Sequence, residues 1–211
     1  MSCWRRGARA SGVVAKRWIT YRALSAASAR VAAGAAKRRS SSLPRTSRPP
    51  LGNEGTLGIS YLLGDTLATE ETMIQLPGEA SRLRIGILRI EFDRDERLRT
   101  VLLRYSQLYM GQIAQGSGCN RVHSLEERCA RGLLSTHDRV EGDTFPLTQD
   151  FLALMLGVRR SGVSVAQHAL QQDGLIAYTR GQVTILDRIG LEELTCSCHG
   201  VIRDRVDRFF A

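Results

Sequence analysis

The sequence predicts an α+β fold, mostly α. Apolar residues recur at spacings of three and four over residues 86–117 and again within residues 147–172, the period of amphipathic helices. The strand-like runs are short and bounded by Gly and Pro. A content of 43% hydrophobic but only 6% aromatic residues suits a helical core built from Leu, Val and Ile.

The 211 residues suffice for one ordinary domain or two small ones. The formal charge of +9 is unevenly placed. Residues 1–52 hold 12 of the 30 Lys and Arg and no Asp or Glu, which leaves 18 basic against 21 acidic residues in the rest. Nucleic-acid binding therefore has to come from a local surface rather than from overall charge. The five cysteines, Cys3, Cys119, Cys129, Cys196 and Cys198, are odd in number and irregularly spaced, with no secretory apolar segment ahead of them. That excludes a disulfide framework and fits a reducing cytoplasm. No apolar run approaches the roughly 20 residues that span a bilayer, so no membrane association is expected.

Residues 1–52 are rich in Arg, Ala and Ser and end in Pro49-Pro50. Such a segment buries too little apolar surface to offset its ordering entropy, and disorder is expected. Three readings of this basic arm stay open. It matches an organellar transit peptide, a tail that adds non-specific phosphate affinity, or the product of a misplaced start or shifted frame.

Over residues 53–84 the runs Leu57–Leu63 and Thr72–Leu76, punctuated by Gly64-Asp65 and Pro77-Gly78, read as one or two strands with turns. Residues 86–117 then read as one long amphipathic helix. Leu98, Leu102, Tyr105, Tyr109 and Ile113 form its stripe, which suits either an internal core or a two-helix dimer seam. Gly116-Ser117-Gly118 is expected to break or kink it. Ser124 with Glu127 three residues on is a capping box, opening a helix that runs to about His137.

The stretch from Leu147 to Asp187 carries the functional signal. Thr148 caps a short helix whose buried side is Phe151, Leu152, Met155 and Leu156, and Gly157 turns the chain. A second helix follows at about 159–172. Val163, Ala166 and Leu170 face inward on it, while Arg160, Ser164, Gln167, His168 and Gln171 point outward on a polar face nearly free of acid. Such a face suits contact with base edges and phosphates. Leu175–Thr179 then pairs with Gln182–Leu186 across Arg180-Gly181 as a tight hairpin. Two helices, a tight turn and a hairpin tipped with Arg form a winged helix-turn-helix. A helix pair alone would be weak evidence for DNA binding, and the hairpin strengthens it.

In LTQDFLALMLGVRRSGVSVA and GLIAYTRGQVTILDRIGLEEL the chain resembles the Crp/Fnr family of bacterial regulators, over about residues 53–211. The resemblance implies a remnant of a cyclic-nucleotide-binding-like β-roll at 53–84 and dimerisation and hinge helices at 85–138. The winged helix-turn-helix with a C-terminal helix would occupy 139–211. It implies dimerisation through Leu98, Leu102, Tyr105, Tyr109 and Ile113. It places Arg160 where family members carry a guanine-reading arginine, with Ser161, Ser164 and His168 also on the base-reading face and Thr148, Gln149, Arg159 and Arg180 as phosphate contacts. Where family members often carry a glutamate and a second arginine, this chain has Ser161 and Val165, so the resemblance does not assign its operator sequence. The sensor half is truncated relative to the family. Gly78-Glu79 resembles part of the family's phosphate cassette, but no Arg-Ser/Thr-Ala element follows, and no cyclic nucleotide is assigned.

Cys196-Ser197-Cys198-His199 lacks the C-x2–4-C spacing and the second ligand pair of structural zinc sites, so no metal is assigned. An Fnr-type iron–sulfur cluster is not expected either, with only Cys3 and Cys119 ahead of the hinge helix. His123 and His137 stand without a carboxylate and nucleophile nearby, and no P-loop or dinucleotide fingerprint occurs, so an enzyme is not expected. Tyr105 and Tyr109 read as packing residues rather than effector contacts. The expectation is a homodimeric transcription regulator without cofactor. Its partners would be double-stranded, near-palindromic DNA, its own copy and RNA polymerase. A rival reading is a truncated interaction protein that dimerises with its DNA face unused.

Overall fold

The structure is a computed structural model that describes residues 19–22, 50–52, 55–65, 75–76 and 79–211. The chain divides into two compact units, Met1–Ser40 with Gly58–Leu103, and Ser41–Leu57 with Arg104–Ala211. No helix among the described residues is long and apolar enough to cross a membrane.

In the first unit a strand β1 (Ile19–Arg22) pairs antiparallel with β2 (Glu79–Arg82), Ile19 opposite Arg82 and Arg22 opposite Glu79. The expectation of disorder over residues 1–52 thus differs at Ile19–Arg22, and most of that arm lies outside the described residues. The Leu57–Leu63 run is not a strand: Ile59–Leu62 forms a helical turn, α1. Gly58, at φ 82°, and Gly64, at φ 103°, bend the chain on either side in a conformation open to glycine. The Tyr61 amide bonds Gly58 O, and the Leu63 amide bonds Ile59 O and Ser60 O, so local turn bonding prevails over the β-propensity of the run. Most of Thr72–Leu76 lies outside the described residues.

The expected single helix over 86–117 is two, α2 (Ile85–Arg94) and α3 (Glu96–Val122), and the break falls earlier than the glycines. Asp95 leaves helical geometry at φ −105°, ψ 106°. Its Oδ1 accepts from the amides of Arg97 and Leu98 at 2.9 and 3.1 Å, so it stops one helix and caps the next. Conversely α3 continues through Gly116-Ser117-Gly118. Each glycine costs about 1 kcal/mol relative to alanine in a helix interior. Against that, Cys119 one residue on is 1% exposed, and Gln115 is hydrogen-bonded to Cys198, so tertiary contacts hold this turn helical.

The second unit is built around α4 (Leu125–His137), opened by the expected capping box: the Ser124 amide donates to Glu127 Oε2 at 2.7 Å and the Glu127 amide to Ser124 Oγ at 3.2 Å. Its buried side, Cys129, Ala130, Leu133 and Leu134, joins Leu152 and Leu156 of α5 (Gln149–Leu156), Val163, Ala166 and Leu170 of α6 (Arg160–Gln172), and Leu191 of α7 (Arg188–Leu194) in one core. A three-stranded antiparallel sheet in the order β3-β5-β4 closes it, from Thr144–Pro146, Gln182–Ile185 and Ile176–Thr179. Phe145 and Val183, opposite each other, point into the core. The expected hairpin, β4 and β5, therefore belongs to a three-stranded sheet with β5 at its centre, and the third strand, β3, was not among the expected elements.

The last helix, α8 (Cys198–Phe210), lies against α3. Arg205 Nη1 donates to Gly111 O at 2.9 Å, and Arg104 Nη2 reaches the carbonyls of Arg208 and Phe209 at 3.2 and 3.3 Å, which satisfies the carbonyl end of α8. The Phe209 ring meets Tyr105 edge-on with centroids 6.3 Å apart, and Tyr105 stacks on Tyr109 at 6.0 Å. Tyr105, 3% exposed, is thus packed inside its own chain, as is Leu102 at 8%, while Ile113 at 41% is open.

Candidate nucleic-acid interface

Local chemistry sets the turn between α5 and α6. Thr148 Oγ1 accepts from the Phe151 amide at 3.2 Å, and Gly157 closes α5 at φ 66°, ψ 36°. The guanidinium of Arg128, buried on α4, donates to the carbonyl of Leu156, so the last carbonyl of α5 is satisfied from the core side. Burial lowers the pKa of Arg128, and the thiols of Cys119 and Cys196 oppose that shift. Arg159 takes extended geometry, φ −74°, ψ 147°, and α6 begins at Arg160.

The exposed face of α6 carries Arg160, Ser161, Ser164, Val165 and His168, with no acidic residue among them. Two expected outward residues are elsewhere. Gln167 is 1% exposed, with neither amide atom hydrogen-bonded, because it shares the buried i, i+3, i+4, i+7 face of Val163, Ala166 and Leu170. Gln171 turns back to accept from the Tyr178 amide at 3.0 Å and so joins the end of α6 to β4. The remaining expected residues, Thr148, Arg159 and Arg180, are exposed, and Gln149 is half-buried.

The hairpin turn is of the expected two-residue kind, with Thr179 opposite Gln182 and both turn residues at positive φ, Arg180 at 50° and Gly181 at 80°. Arg180 is the one non-glycine described residue at positive φ, a conformation that costs an L-residue about 1–2 kcal/mol. The turn is docked: the Leu147 amide donates to Gly181 O at 2.8 Å, and a Cβ at Gly181 would meet Thr148 Cγ2 at 3.5 Å. Arg160 Nε lies 3.7 Å from Asp150 Oδ1. The hairpin tip and the first turns of α5 and α6 thereby form one surface.

Behind that surface a charged relay ties α4, α7 and α8 together. Arg188 Nη1 donates to His137 Nδ1 at 2.6 Å, which leaves Nε2 of that ring as the donor to Asp143 Oδ1 at 2.9 Å. Arg188 Nη2 also bonds Asp138 Oδ1 at 2.7 Å, whose Oδ2 pairs with His199 Nε2 at 3.0 Å. Burial pushes the Asp138 carboxyl up, but the hydrogen bonds and charges of His199 and Arg188 outweigh it and hold the pKa at about 2.

Away from this face, four donors converge that the sequence reading kept apart. Sγ of Cys119, Cys196 and Cys198 and an imidazole nitrogen of His123 all lie within 4.8 Å of one another. His199, adjacent in sequence, is turned to Asp138 instead. The Cys119-x3-His123 spacing, one turn of helix, was the available signal.

Residues 127–194 match the model of the Crp-like helix-turn-helix domain. No curated protein matches. Among solved structures, the chain is similar to one described as a Crp/Fnr-family transcriptional regulator from Eubacterium rectale, with 20% identity over 64% of this chain and 62% of that one, and a TM-score of 0.51. It is also similar to FixK2 from Bradyrhizobium japonicum, with 16% identity over 62% of this chain and 70% of that one, and a TM-score of 0.54. The chain thus spans about 62% of the length of the Eubacterium rectale protein. At these identities the likeness establishes the fold.

Proposed function

We propose that this chain, whose residues 127–194 are a Crp-like helix-turn-helix domain, is a sequence-specific DNA-binding transcription regulator. One observation carries the reading: an acid-free exposed face of α6 stands beside a docked hairpin tip that holds an arginine in a costly conformation. In this reading α6 enters the major groove. Arg160 reads a guanine through O6 and N7, Ser161, Ser164 and His168 meet neighbouring edges, and the exposed Val165 suits a thymine methyl. Thr148, Gln149, Arg159 and Arg180 hold flanking phosphates, which fixes register without reading sequence. Asp150, 3.7 Å from Arg160 in the free protein, steadies that side chain until DNA replaces it.

Two copies would read half-sites about one helical turn apart on near-palindromic DNA. Tyr105 is already covered by Phe209, so the pairing face on α3 is proposed around the exposed Met110 and Ile113, of which only Ile113 belongs to the stripe read from sequence.

Selection of the full chain against a random duplex library tests the reading. A two-fold motif is expected, and Arg160→Ala should weaken binding by about 1–3 kcal/mol and relax one base position in each half. Selection of no motif, or an Arg160→Ala variant with unchanged affinity and base preference, overturns it.

A further inference from the structure

We propose that Cys119, His123, Cys196 and Cys198 form a binding site for one tetrahedral zinc ion, which clamps the end of α3 to the start of α8. Their four donor atoms lie within 4.8 Å of one another, and three of the four residues are buried. Cys119 Sγ is 3.5 Å from Cys196 Sγ, and Cys198 Sγ is 3.7 Å from His123 Nδ1. Ligands placed at zinc–sulfur and zinc–nitrogen lengths of about 2.3 and 2.1 Å in a tetrahedron stand roughly 3.5–3.8 Å apart. Two of the six edges, at 3.5 and 3.7 Å, already match that spacing, and all six lie within 4.8 Å, so closure needs only small side-chain shifts. An iron–sulfur cluster would hold the four donors further apart, so the geometry favours a single ion.

The donor set has the chemistry of a closed structural site, three thiolates and one imidazole with no open position. On binding, each thiol releases its proton to solvent and the imidazole binds neutral, which leaves the site with one net negative charge. Two neighbours answer that charge. Gln115 Nε2 donates to Cys198 Sγ at 3.1 Å, as outer hydrogen bonds to ligating sulfur do. The buried Arg128 guanidinium, whose Nε has no hydrogen-bond partner, is close enough to Cys119 and Cys196 for their charge to favour its own. Cys196 and Cys198 flank the exposed Ser197 at the α7–α8 junction, and His123 lies just past the end of α3, its amide bonded to the carbonyl of Cys119 one turn earlier at 3.2 Å. The ion would therefore join segments more than 70 residues apart, next to the capping box that opens α4.

The test is cobalt titration of the full chain, purified with reductant and stripped of metal, with circular dichroism to show that it is folded. One Co2+ per chain is expected, giving the intense ligand-field and sulfur charge-transfer absorption of a tetrahedral thiolate site, and Zn2+ should displace it and raise Tm. Cys119→Ser and His123→Ala should lose or alter the spectrum, and Cys129→Ala, at a buried cysteine outside the cluster, should keep it. Gln115→Ala, which spares all four ligands, should weaken the metal about tenfold or more without loss of fold. Folded wild-type protein that takes up no stoichiometric Co2+ or Zn2+ overturns the proposal. So does a spectrum that survives Cys119→Ser unchanged, or a Cys119–Cys196 disulfide that persists under reductant in place of metal.

Discussion

Replacing Arg180 by glycine separates what the hairpin tip contributes to folding from what it contributes to DNA. At φ 50° Arg180 sits where an L-residue is disfavoured by about 1–2 kcal/mol, and glycine removes that strain. The variant also loosens the unfolded chain, at a cost of about 0.5–1 kcal/mol, so the net change in stability is expected between about zero and 1.5 kcal/mol in favour of the variant. Binding should move the opposite way. If Arg180 neutralises one phosphate, its loss lowers the slope of log K against log salt by about 0.9 per subunit, for any duplex sequence. Fluorescence anisotropy on a labelled non-specific duplex at several salt concentrations reads the slope, and a urea midpoint reads the stability. Arg180→Lys, which keeps charge and strain together, should restore the slope but not the stability. An unchanged slope in Arg180→Gly would show that the arginine does not touch phosphate. A loss of more than about 1 kcal/mol in stability would show that its side chain holds the hairpin.

Two further outcomes follow from the interior. Asp138 has its pKa lowered from 3.8 to about 2, so its contribution is full above about pH 4 and is lost as pH falls through about 2. Allowing for solvent at a side chain 26% exposed, that is about 1 kcal/mol, and Asp138→Asn should flatten the acid limb of a stability–pH curve by this amount. Gln167→Met should stabilise the domain by about 1 kcal/mol, because it removes one buried amide whose Nε2 and Oε1 both lack partners while keeping the volume; a lower urea midpoint would show that those atoms are satisfied.

Features fixed by neighbours within one turn of chain were legible from sequence. The Ser124–Glu127 capping box, the Thr148 cap, the Gly157 turn and the Arg180-Gly181 hairpin all occur where their residue types demand. What misled was chemistry standing in for position. Gln167 is polar but lies on the buried helical face, and Gly116 and Gly118 are weak helix formers in a turn anchored by Cys119. What was invisible was long-range pairing. Tyr105 is covered by a ring over a hundred residues later in the chain, and the four metal-ligand candidates come from the end of α3 and the residue after it, and from the α7–α8 junction. No local period reports either.

The bond from the Leu147 amide to Gly181 O ties the hairpin tip to the residues that lead into α5. In the proposed complex, the distance between the arm on the backbone and the helix in the groove would thereby be a fixed gauge. If the proposed DNA contact holds, a protein so built would accommodate variant sites by bending the duplex to itself, so tolerance of a site should follow how easily its flanking steps deform.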